Sequence, residues 1–104
     1  MNDIKVITIC GSLKFKNEMI NIANDLELNQ KYAVIQCVYG ENKDNYTKNE
    51  LELLSKIHLK KIDISDAIYV VNVDGYIGES TKKEIEYAKL NNKEILSLNP
   101  LNPD

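Results

Sequence analysis

Apolar residues recur along this chain with two different periods. Near-continuous apolar runs over positions 4–10, 32–38, 67–73 and 94–98 predict strands, the first three rich in β-branched residues. Between them the spacing changes to three and four. Phe15, Met19, Ile22, Ala23 and Leu26 share one helical face, Leu51, Leu54, His58 and Ile62 a second, and Ile85 and Ala88 a third. The first helix should end at Asn29-Gln30-Lys31, and the other two should span 50–64 and 80–90. Positions 39–49 are polar, with Gly40 and three Asn, and predict a loop long enough to act as a lid or binding loop. Positions 99–104 form a terminating tail with both prolines.

Strands thus alternate with helices, which implies parallel strands joined by right-handed crossovers. Apolar strands without polar alternation agree with burial on both faces. The expected fold is α/β, a flavodoxin-like or Rossmann-like three-layer sandwich. Its parallel sheet would have four strands, or five, in the order 2-1-3-4. A single domain would cover 1–104, since no repeat, linker or low-complexity stretch interrupts it. In such a sheet the switch point lies between the first and third strands, and ligands bind at their carboxyl ends. Two glycine-bearing loops meet there, Cys10 to Lys14 and Asp74 to Thr81.

Composition narrows the function classes. With 104 residues, 43% of them hydrophobic, the chain can bury one core without staples. A net charge of −3 gives no global basic footprint, so a nucleic-acid polymer is not an expected partner. Cys10 and Cys37 lie in apolar runs and predict buried, reduced thiols. Neither has a His or Cys close in sequence, so the spacing is not that of a zinc site, and no metal is expected. The N-terminus runs straight into a strand, and no apolar stretch approaches the roughly 20 residues of a membrane span. The expected location is cytoplasmic, with no membrane partner.

Several residues could carry chemistry. Gly11-Ser12 opens the first helix, where free N–H groups and a partial positive charge suit a phosphate or carboxylate, with Lys14 nearby. It could equally be a tight turn with Ser12 as cap. Glu84 lies at the edge of the buried face of the third helix and could point over the strand ends. Thr81-Lys82-Lys83-Glu84 also has the spacing of a capping box, with Thr81 as cap. His58, the only histidine, could orient a ligand or a carboxylate, or could pack as a half-buried residue. Asn72 and Asp74 end the third strand on the ligand side, although Asp74-Gly75 is also a turn signal. Tyr76 and Tyr87 could stack on a base or simply pack. Asp63 and Asp66 are expected to cap or solvate the return into the third strand.

Two stretches resemble the nucleoside 2-deoxyribosyltransferase superfamily, which includes 2'-deoxynucleoside 5'-phosphate N-hydrolase-like proteins. One is Ile7-Thr8-Ile9-Cys10-Gly11-Ser12. The other is Ser65-Asp66-Ala67-Ile68-Tyr69-Val70-Val71-Asn72 followed by Gly78-Glu79-Ser80-Thr81-Lys82-Lys83-Glu84-Ile85-Glu86-Tyr87-Ala88. The similarity covers nearly the whole chain and points to a small bacterial branch carrying Gly-Tyr-Ile-Gly-Glu-Ser-Thr. It implies cleavage or transfer of an N-glycosidic bond on a nucleoside or nucleoside 5'-monophosphate. Glu84 would be the nucleophile, as in a retaining glycosidase. Cys10, Gly11, Ser12 and Lys14 would form the phosphate loop. Asn72, Asp74, Gly78, Glu79, Ser80 and Thr81 would surround the sugar. No organic cofactor is implied, and homo-oligomers are. Two positions depart from the family pattern. Thr8 stands where a tyrosine orients the glutamate, and His58 stands where an aspartate assists the leaving base, so that the resemblance makes His58 a catalytic candidate, as the acid that protonates a departing purine or as an orienting group. A binding module without catalysis is the alternative reading.

Overall fold

The computed structural model describes residues 3–39 and 46–101. Four strands, β1 (Val6–Gly11), β2 (Ala33–Ile35), β3 (Ala67–Val71) and β4 (Glu94–Ser97), form one parallel sheet in the order β2-β1-β3-β4. The connecting helices are α1 (Lys16–Leu28), α2 (Lys48–Asp63) and α3 (Glu79–Leu90). Short 3-10 turns precede α1 at Leu13–Phe15 and follow β3 at Val73–Gly75. This is the expected α/β sandwich, with four strands rather than five among the described residues. No described helix is long and apolar enough to cross a membrane.

Side-chain alternation along the strands creates two cores. Ile9 and Val71 point to one face and pack on Met19, Ala23 and Leu26 of α1. Cys10, Ile68 and Val70 point to the other and pack on Ile62, Ile85 and Ala88 of α2 and α3. Gly11 lets the layers close. A Cβ there would lie 3.2 Å from the Val71 carbonyl and 3.4 Å from Met19 Sδ.

Element boundaries moved where local bonding changed. The predicted second strand, 32–38, shrinks to Ala33–Ile35. Past Ile35 the chain leaves the ladder, and the Gln36 carbonyl accepts from Lys61 Nζ at 2.8 Å. Helix α2 begins earlier than expected because Thr47 and Glu50 form a reciprocal capping box, at 2.8 and 3.0 Å. The first residues of α2 lie in the stretch read as a loop, and 40–45 of that stretch fall outside the described residues. Asp66 ties β3 to β1, as its carboxylate accepts from Val6 N at 2.8 Å.

Asn72 corrects an expectation. It is 1% exposed, and its side chain is wholly engaged with Asn99. Its amide donates to the Asn99 carbonyl at 3.0 Å and accepts from Asn99 N at 2.9 Å, while Asn99 Nδ2 donates to the Asn72 carbonyl at 2.8 Å. The residue clamps the segment after β4 onto the end of β3 and is not free to hold a sugar. Asn72→Ala leaves Asn99 N unpaired, while Ser97 Oγ still donates to the Asn99 carbonyl at 2.6 Å, and should cost about 1–3 kcal/mol. Urea unfolding checks this, and a loss below about 0.5 kcal/mol would show the clamp to be dispensable.

Candidate functional site

A cavity of about 510 Å³ opens at the carboxyl ends of β1 and β3, where the strand order reverses. The sequence explains its walls. Gly11 and Ser12 leave β1 without a bulky side chain. Gly78 caps α3, so the free N–H groups of Glu79, Ser80 and Thr81 begin that helix beside the cavity. The first two turns of α2 overhang the opening, where Leu51 and Ile57 remain exposed. His58 and Glu84 form the floor.

Glu84 is not a cap, contrary to the capping-box reading. Helix α3 starts at Glu79, so Thr81 is already its third residue and is buried. Glu84 lies one turn too deep to reach back to an N-cap. Its side chain is 16% exposed and its Oε1 stands 3.7 Å from His58 Nε2. The other close neighbour is the Cys10 thiol, whose Sγ lies within 4.8 Å of the carboxylate. Cys10 Sγ in turn lies 3.5 Å from His58 Nε2. Three potential metal ligands therefore converge, with the Cys10, His58 and Glu84 ligand atoms all within 4.8 Å of one another.

Burial controls the charges. Desolvation raises Glu84 from 4.5 to about 7, and the Cys10 thiol opposes part of that rise. Desolvation, helped by the positive charge of Lys61, lowers His58 from 6.5 to about 4, against a hydrogen bond to the Ile9 backbone. The imidazole is thus neutral at pH 7, and the contact with Glu84 is not an ion pair. That favours His58 as an orienting group over His58 as an acid. Burial pushes the Cys10 thiol well up, and the Glu84 charge adds to it.

The other expected residues divide. Gly11, Ser12, Gly78, Glu79, Ser80 and Thr81 all line the cavity. Ser12 also caps the turn after it, its Oγ accepting from Lys14 N at 3.4 Å. Lys14 reaches the rim through Tyr76, with its Nζ 3.5 Å from that ring's centroid. Asp74 does not join them. It is exposed, with φ 55°, in the turn that ends β3, which is the plain turn reading. Tyr87 is taken by Asp63, donating to its carboxylate at 2.6 Å. Thr8 lies away from Glu84, in a buried cluster where its Oγ1 sits 2.6 Å from Ser65 Oγ and 3.1 Å from the Lys61 carbonyl. The β1 residue that faces Glu84 is Cys10, two positions on.

Sequence reading missed three contributors. Cys37 is only partly buried and lines the cavity, as does Lys61. The meeting of Cys10 with His58 and Glu84 was also missed, since 48 residues separate the first pair. Strand alternation could have found it: Cys10 shares a face with Ile68 and Val70, the face that α2 and α3 cover. No protein-family model and no curated protein matches this chain.

The two shifted groups leave a signature in stability. The fold disfavours ionised Glu84, so its contribution is full below pH 4.5 and is lost as pH rises through about 7. The fold favours neutral His58, so its contribution is full above pH 6.5 and is lost as pH falls through about 4. The two slopes oppose each other in wild type. Relative to wild type, Glu84→Gln should gain about 3 kcal/mol between pH 4.5 and 7. His58→Gln should lose a comparable amount between pH 4 and 6.5. Urea unfolding across this range measures both, and variant profiles parallel to wild type would exclude the buried pair.

Proposed function

We propose that this chain cleaves or transfers the N-glycosidic bond of a nucleoside or nucleoside 5'-monophosphate. Membership of the nucleoside 2-deoxyribosyltransferase superfamily is part of that proposal. The observation that carries it is Glu84 itself. It is a carboxylate with no structural duty, held by the sheet, by α2 and by α3 at the floor of a cavity of about 510 Å³. A cap or a surface charge would not be built this way.

In this reading a Glu84 oxygen attacks the anomeric carbon. The bond from that carbon to the base breaks, and its electron pair leaves with the base. Water or a second base then opens the glycosyl ester. His58 and the Cys10 thiol aim the carboxylate. Gly11 and Ser12, with Lys14 at the rim, hold a 5'-phosphate, and the N-terminus of α3 adds its own donors. Tyr76 offers a ring for the base. Leu51 and Ile57 are apolar at the mouth, where a bound base or a second copy of the chain would cover them. A homodimer in the cytoplasm, acting without an organic cofactor, belongs to the same proposal.

One observation favours the alternative of nucleotide binding without turnover. His58 is neutral near pH 7, so it cannot readily protonate a departing base. Chromatography for free base decides between the two. Purified protein is incubated with ribo- and deoxyribonucleosides and their 5'-monophosphates, with and without a second base. Release should occur, should vanish in Glu84→Ala and Glu84→Gln, and should rise with pH through about 7 as Glu84 ionises. A saturable thermal shift with nucleotides and no release leaves the binding module. Release that survives Glu84→Ala removes Glu84 from the mechanism.

A further inference from the structure

At and just beneath the floor of the cavity, three side chains with metal-binding lone pairs, Cys10, His58 and Glu84, converge from different elements. A thiolate, an imidazole and a carboxylate are the three ligand types that zinc takes. Zinc bonds of about 2.3 Å to sulfur and about 2.0–2.2 Å to nitrogen and oxygen place tetrahedral ligand atoms about 3.3–3.6 Å apart. The Cys10–His58 separation is 3.5 Å and the His58–Glu84 separation is 3.7 Å. The third edge lies within the 4.8 Å that spans the cluster.

We propose that Cys10, His58 and Glu84 form a zinc site with an open fourth position facing the cavity. Each ligand stands on a different rigid element, β1, α2 and α3, so the site is largely preformed. Charge balance favours occupancy, because Zn²⁺ with one thiolate, one carboxylate and a neutral imidazole is a neutral cluster in a buried place. The ring is held in position by burial, His58 being 7% exposed between β1 and α3. The fourth position opens upward because His58 and Glu84 line the cavity, and a water or a ligand atom would fill it. Where Glu84 acts as a nucleophile, zinc would occupy its lone pairs and stop turnover. That consequence rests on the proposed function, whereas the site does not.

Protein stripped with a chelator and dialysed is titrated with zinc sulfate against a chromophoric zinc indicator. One equivalent should bind. Cys10→Ser and His58→Gln should each weaken binding at least about a hundredfold, and Cys37→Ser should not. Cobalt chloride added to wild type should give tetrahedral d–d bands and a sulfur-to-cobalt charge-transfer band. That band needs no variant to fold, and His58→Gln changes a residue at the cavity surface. Failure of wild type to compete with the indicator overturns the site. So does a cobalt spectrum without the sulfur band, or binding that survives Cys10→Ser but is lost in Cys37→Ser. Base release by the zinc-free protein is read separately. Zinc binding without release overturns the proposed function alone, and release without zinc binding overturns the site alone.

Discussion

A carboxylate buried with no ammonium or guanidinium paired to it among the described residues sets the terms for this molecule. Holding Glu84 ionised in its place costs about 3 kcal/mol relative to water, from its displacement to about 7. Lys61 also lines the cavity, but its ammonium donates to the Gln36 carbonyl. Only the neighbouring Cys10 thiol works against that rise. A side chain on the edge of a helix normally escapes such a cost by turning into solvent. Glu84 does not, because Thr81, Ile85 and Ala88 on the same face fix the rotation of α3 against the sheet.

The sheet makes this placement rigid. Gly11 brings β1 close to β3 and α1, so the end of β1 sits low and leaves space above Cys10. Asn72 and Asn99 close the end of β3 from the other side. Thr8, Ser65 and the Lys61 carbonyl anchor the last turn of α2 to β1 one layer below. His58 therefore stands one turn before that anchor and cannot move without dragging α2. The site is accordingly built from packed elements, and only its overhanging wall, the start of α2, is thinly supported.

The fold was legible because continuous apolar runs and 3.6-residue spacing do not overlap in this chain, and seven alternating elements leave few parallel topologies. The site was legible in its frame, the two glycine-bearing loops at the switch point. It was less legible in its bonding. Thr81 to Glu84 has the letters of a capping box, yet Gly78 starts the helix earlier, and the box forms instead at Thr47 and Glu50. Asn72 sits at the ligand end of a strand by position, but its partner lies 27 residues on, beyond any local pattern. Cys10 and His58 failed the zinc test for the same reason. Ligand spacing rules work within a loop or a helix, and these ligands come from three elements that only the folded sheet brings together.

That origin also bears on what the cluster can do. A nucleophile needs lone pairs aimed at carbon with little covering them, and a metal ligand needs the same lone pairs aimed inward at a shared centre. Glu84 has two oxygens and two neighbours below it, His58 and Cys10, so both geometries are open to it. Which one prevails depends on the thiol. While Cys10 keeps its proton its hydrogen-bond partner is His58, and the carboxylate stays free toward the cavity. Once a divalent ion displaces that proton, the thiolate and the carboxylate share a cation and the repulsion between them is removed. Cys10, buried within 4.8 Å of both partners, is therefore the residue on which the chemistry of this cavity turns.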